Sequence, residues 1–250
     1  MVILRGNTPC AHISSTQSAL CHFHLVGPPV MPRSRSGHSA VQAGAPVFIG
    51  ERLWLDFVNI GAATGGRAAA RAAKPEDALD SFDGFVNWLV AARVLDAERS
   101  DALLKRAQQQ PTGASAALHE SRRIRAVLRA LAEKAGAPAD RAMQVAITEI
   151  NRILGRSAGS RRVEPRAGGG FVRNFVSLGD VFAGLLTPVI ESAADSLVAG
   201  DLQRVRTCGD PHCTRVFYDG SRNRKRRWCE MTTCGNRAKA IRHRRKVRSP

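Results

Sequence analysis

From Pro75 to Gly200 the apolar positions recur mainly at helical spacing, after a denser apolar segment that begins near Glu51. Leu53, Trp54, Leu55, Phe57, Val58 and Ile60 form a dense cluster on which a core must be built. Phe82, Phe85, Trp88 and Leu89 follow on one face of a helix predicted to open at Pro75, which suits a first helical position. Asp96 is placed to cap a short helix running to Gln110. Thr112 is placed to cap a longer one, with the stripe Ile124, Val127, Leu128 and Leu131 and an end at Gly136. Pro138 starts the next, carrying Met143, Ile147, Ile150 and Leu154, with Gly155 as its stop. From Val181 a last stripe runs through Leu185, Val189, Ala193 and Leu197, broken or kinked by Pro188, with Thr187 as cap of its second half. One stretch departs from this period. Residues 161–176 place short apolar segments on either side of Gly168-Gly169-Gly170 and predict a β-hairpin. The expectation is a mainly α protein: a disordered extension over 1–46, a helical domain with one β-hairpin over 47–200, and a small C-terminal module of β-hairpin or loop and basic helix over 204–247.

Composition narrows the partners. The chain has 250 residues and carries 38 Lys+Arg against 21 Asp+Glu, a formal charge of +17. The excess is concentrated. Residues 204–250 hold fifteen Lys/Arg and three Asp/Glu, whereas residues 1–203 hold 23 and 18. A nearly balanced body with a strongly basic end predicts a polyanionic partner, the alternative being a solvated tail. The longest uncharged apolar stretch, Val181 to Ile190, is ten residues, too short to cross a membrane. His12, Gln17, His22 and His24 interrupt the apolar run that a signal peptide would need. Met31 is an alternative initiator, in which case the first thirty residues are not translated. A cytoplasmic, reducing setting follows as the expectation, with no membrane partner.

Four of the six cysteines fall in one short segment, as Cys208-x4-Cys213, fifteen intervening residues, and Cys229-x4-Cys234. Two close pairs separated by a spacer are what a closed tetrahedral thiolate site requires, each pair turning two sulfurs toward one ion. One structural Zn²⁺ is the expected cofactor. An iron–sulfur cluster and disulfides are the alternatives, and His212 is a substitute ligand. Cys10 and Cys21, with their neighbouring histidines, fit no such spacing. Phe217 and Trp228 supply a small core beside the metal. Arg222, Arg224, Lys225, Arg226 and Arg227 form a basic loop between the pairs. Beyond Cys234, Asn236 is placed to cap a helix carrying Arg237, Lys239, Arg242, Arg244 and Arg245, with Ala238, Ala240 and Ile241 turned inward. A metal-pinned basic helix beside a basic loop suits phosphate neutralisation and groove insertion. Arg237 also has a competing role, bracing a cysteine knuckle.

The residues Cys208-x4-Cys213, Phe217-x-Asp219-x-Ser221-Arg222-Asn223, Arg227-Trp228-Cys229 and Cys234-Gly235-Asn236-Arg237-x-Lys239 resemble the CGNR zinc finger over about residues 204–247. Upstream, Leu55-Asp56-Phe57-Val58-Asn59 and Trp88-Leu89 resemble the ABATE-type helical domain that precedes such fingers. The likeness departs at Ile60, where a threonine is usual, and in the long N-terminal extension. The resemblance implies a bacterial, stress-response DNA-binding transcription regulator. Its helical domain would sense a small-molecule effector or partner, or make a homodimer. An RNA- or ribosome-associated binding protein is the alternative. Enzyme signatures are missing: there is no H-E-x-x-H and no G-x-S-x-G, and Gly61 to Ala68 misses the phosphate loop because Arg67-Ala68 stand where Lys-Ser/Thr is needed. Asp56 and Asn59, one helical turn apart, either line a ligand pocket or cross-link local backbone.

Overall fold

The structure is a computed structural model and describes residues 46–63, 77–135, 141–165 and 169–248. The expectations for the extension over 1–46, Pro75, Gly136, Pro138, Gly168 and most of the Gly61–Ala68 loop lie outside those residues. The architecture is mainly α, with two small antiparallel hairpins.

The first helix, α1 (Leu53–Val58), is six residues long, yet Trp54, Leu55 and Phe57 are wholly buried. So short a helix has little stability of its own; the packing of its apolar residues holds it. Each such side chain contributes about 1.5–3 kcal/mol on burial. Trp54 keeps its indole N–H satisfied by donating to Ser196 Oγ at 2.9 Å. Phe57 meets the rings of Phe85 and Trp88 edge-on, and both of these come from α2 (Phe82–Ala91). Ser81 caps α2 by accepting from Gly84 N–H, so the helix opens later than Pro75 predicts, after a single 3-10 turn at Ala78–Asp80.

Asp96 caps α3 (Ala97–Gln109) as expected, accepting from Arg99 N–H at 2.8 Å. The long α4 (Pro111–Glu133) does not begin at a Thr112 cap. Pro111 occupies its first turn, where a missing N–H costs nothing, and Thr112 is drawn inside the helix. Ala114, Ser121, Ile124, Leu128 and Leu131 form its buried stripe. Next, α5 (Arg141–Arg156) buries Ala146, Ile150 and Ile153 and runs through Gly155 instead of stopping there. Across the α4–α5 seam Arg123 pairs with both carboxylate oxygens of Glu149 at 2.6 and 2.8 Å. Arg152 bridges Glu149 and Glu120, each at 2.7 Å.

The predicted hairpin is present as β1 (Gly159–Pro165) and β2 (Phe171–Ser177), with Gly159 opposite Ser177 and Pro165 opposite Phe171. Gly159 is required there: a Cβ would stand 2.4 Å from Val176 O and 2.5 Å from the Phe175 ring. The stripe from Val181 is only half helical. Residues 181–186 are turns, and α6 (Thr187–Val198) starts where Pro188 can occupy the first turn; the proline begins a helix instead of kinking one. Thr187 is fully buried, and its hydroxyl donates to Ser157 Oγ at 2.8 Å instead of capping. The C-terminal module contains the hairpin expected of it, β3 (Val205–Thr207) with β4 (Val216–Tyr218), though three-residue strands carry too little periodic signal to fix its bounds. Finally, α7 (Asn236–Arg248) follows a turn of π-helix at Met231–Gly235. That turn moves the helix start upstream, so Asn236 is already helical and donates to Thr232 O instead of capping.

Candidate metal centre and nucleic-acid interface

The β3–β4 hairpin hands the chain directly to Cys208, whose N–H donates to Arg215 O at 2.9 Å. The first knuckle closes through Cys213 N–H to Asp210 O, and Asp210 Oδ1 accepts from His212 N–H. Gly209 N–H then reaches Arg227 O at 2.8 Å and ties this knuckle to the second. A π-turn carries Cys234, with Gly235 N–H on Glu230 O. All four cysteines are buried, and their sulfurs lie within 4.8 Å of one another. Cys213 and Cys229 Sγ are 3.8 Å apart, Cys229 and Cys234 Sγ 3.7 Å. A tetrahedron with Zn–S near 2.3 Å has an edge of about 3.8 Å, so these sulfurs stand where a zinc ion would hold them. They are far too distant for disulfides. His212 is exposed and outside the cluster.

The electrostatics point the same way. The Cys229 thiol, sharing a proton with Cys213, holds the Cys213 sulfur as thiolate and lowers its pKa to about 5. The Cys213 thiolate and burial push Cys229 far up, and burial first, then Cys213, pushes Cys234 up to about 12. One thiolate forms readily and the next is opposed, so the full set needs a cation among them. Four soft sulfur ligands with no open position make the site structural, holding one zinc ion.

The basic residues separate into two groups. Arg226 is turned inward. Its guanidinium lies 4.6 Å from the Phe217 ring centroid, donates to Trp228 O, Tyr218 O and Cys229 O, and pairs with Glu51. Arg237 pairs with Asp210, which is 4% exposed. Burial alone would raise the Asp210 pKa, but the His212 N–H and the Arg237 guanidinium outweigh it and the pKa is lowered. Arg237 therefore braces the first knuckle through the Asp210 carboxylate. Asp219, fully buried, accepts from Ser221 N–H, the Ser221 hydroxyl and Arg226 N–H, which folds the basic loop back on itself. Sequence reasoning missed Asp210 and Asp219 as organisers; their signal was that two of the three acids in so basic a segment had to be holding something. The other nominated cations are exposed: Arg222, Arg224, Lys225 and Arg227 on the loop, and Lys239, Arg242, Arg244 and Arg245 on α7. No residue of α7 is buried, and of its three expected inward residues only Ala238 and Ile241 are half-buried.

Asp56 and Asn59 are committed to backbone. Asp56 Oδ1 accepts from Ile49 and Gly50 N–H at 2.8 and 2.7 Å. Burial nevertheless lifts its pKa to about 6. Asn59, 8% exposed, donates to Val216 O at 2.8 Å and accepts from Val216 N–H at 2.9 Å. The cross-linking alternative is the geometry found, because backbone groups buried here must be paired.

The chain matches two families. Residues 51–200 match ABATE, described as "Putative stress-induced transcription regulator", and residues 204–247 match the CGNR zinc finger. No curated protein matches the chain significantly. Among the described residues no helix is long and apolar enough to cross a membrane.

Proposed function

Because the chain belongs to the ABATE family and carries a CGNR zinc finger, we propose that it is a zinc-dependent DNA-binding transcription regulator of the cytoplasm. Its helical body receives an effector or partner, and its finger holds duplex DNA. One observation carries the reading. The finger's acids are consumed internally, with Asp210 and Asp219 buried and Glu230 half-buried, while its loop and α7 expose their cations. The outward surface is cationic almost without interruption. On α7 the charges spread over more than half of the circumference and leave one arc to Ala240, His243 and Val247, which suits a helix with a phosphate wall on each side better than one lying on a flat surface.

The RNA reading is less well supported. Recognition of single strands needs free aromatic faces for stacking. Phe217 is fully buried. Arg52 stands 4.0 Å over the Tyr218 ring, and Trp228 packs on the cysteine cluster with Arg227 at 5.2 Å. Both matched families are regulatory or zinc-finger families, and the role proposed is binding, not catalysis. The test is a titration of the zinc-loaded chain with labelled duplexes and single strands, together with sequencing of DNA fragments recovered with the intact protein. Preferential duplex binding with an enriched fragment sequence supports regulation. Tighter binding to single-stranded RNA would replace this reading with the second one.

A further inference from the structure

The β3–β4 hairpin belongs to two cores at once. In a strand, successive side chains point to opposite faces. Val216 accordingly enters the core of the helical body, Phe217 enters the cysteine cluster, and Tyr218 returns to the body. Val205, opposite Tyr218, joins the body core as well. The segment before α1 behaves likewise: Phe48 packs its ring 5.9 Å from that of Trp88, while Ile49 packs on the cysteine cluster.

Polar bonds fasten the edge of β4 that faces away from β3 to the body. Asn59 occupies both backbone groups of Val216. Tyr218 N–H donates to Gly50 O at 3.1 Å, and Thr214 and Ala63 exchange bonds of 3.0 and 3.1 Å. Arg129 of α4 reaches Thr214 O.

We propose that the four-cysteine ion is a fold-determining ion for the helical body as well as for the finger, with Asn59 as the clamp that transmits its occupancy to α1 and α4. Without the ion Phe217 loses its packing partners, β4 loses one of its two faces, and the bonds to Asn59 and Gly50 lose the strand that holds them. Linkage makes the effect reciprocal: whatever releases α1 from β4 lowers affinity for the ion. The body thereby reads the metal state of the finger, and a signal arriving at α1 reaches the zinc site by the same route. This does not depend on which nucleic acid the finger binds.

Hydrogen exchange on the full chain, zinc-loaded and after chelation, tests the outward half. Amides of 124–131 in α4 and 54–58 in α1 should exchange at least tenfold faster without zinc. Opening confined to 205–248 would overturn the proposal. The reciprocal half is a competition for zinc against a chromophoric chelator. Asn59→Ala should lower zinc affinity at least tenfold, although Asn59 is no ligand, whereas Leu103→Ala, on α3 away from the hairpin, should leave it unchanged. Equal weakening in both variants, or none in Asn59→Ala, would remove Asn59 as the clamp. The exchange experiment needs no variant, so a misfolded Asn59→Ala does not shield the proposal.

Discussion

At the scale of single residues, neighbours in space decide what a charge does. Arg226 and Arg227 are adjacent in sequence, yet one is held over Phe217 by Glu51 and three carbonyls while the other is exposed. The cysteines were legible because a metal knuckle is a local object whose spacing is written in the chain. Arg226 was not, because its partner Glu51 lies 175 positions away; for Arg237 the bracing role was legible but not its partner, Asp210, 27 positions away. The distinction is measurable. Arg237→Ala should lower zinc affinity by about 10–100-fold, the usual cost of removing a residue that orients metal ligands, and Arg242→Ala should leave it unchanged. Chelator competition reads both. Asp56 gives a second prediction. Its carboxyl titrates near pH 6 when folded, against an ordinary value of 3.8. The folded chain thus binds the proton more tightly than the unfolded chain. The favourable contribution is complete below about pH 4 and is lost as pH rises through 6, a swing of about 2–3 kcal/mol. Asp56→Asn should remove that swing, so its melting temperature relative to wild type should rise between pH 4 and pH 7. A pH-independent difference would contradict the assignment.

At the scale of elements, periodicity found α2 to α6 and the β1–β2 hairpin but not the six-residue α1, and proline chemistry moved the helix ends. Pro111 and Pro188 each sit in a first turn, where the ring fixes φ and the absent N–H is harmless, so each starts a helix that a neighbouring threonine was expected to cap. The α4–α5 seam adds something no stripe of apolar residues reveals: its ladder of Arg123, Glu149, Arg152 and Glu120 closes the gap between two helix surfaces. The Arg123 hydrogen bond, with help from Arg152, brings the Glu149 pKa down to about 2 despite burial. Here the sign is opposite to Asp56. The stabilisation is present above about pH 4.5 and is lost as pH falls toward 2. Glu149→Gln should cost about 1 kcal/mol at pH 7 and nothing near pH 2, as measured by urea unfolding at the two values.

At the scale of the whole molecule, the chain is a helical body and a zinc finger built around one shared hairpin. In sequence the two look like separate modules, since Val216-Phe217-Tyr218 is too short to announce that it faces two ways. Charge, by contrast, was legible from the start, and folding sharpened it by hiding the finger's acids. We propose that this sharpened surface binds duplex DNA, and the salt dependence of binding is the most direct test. If about six cations meet phosphates, log affinity for a duplex should fall with log salt at a slope near −5. In full-length protein carrying zinc, replacing Lys239, Arg242 and Arg245 together by glutamine should flatten that slope by about 3 and weaken binding on every sequence. An unchanged affinity and slope in that variant, with its zinc retained, would place the nucleic-acid surface outside the finger's helix and rule out this mode of binding.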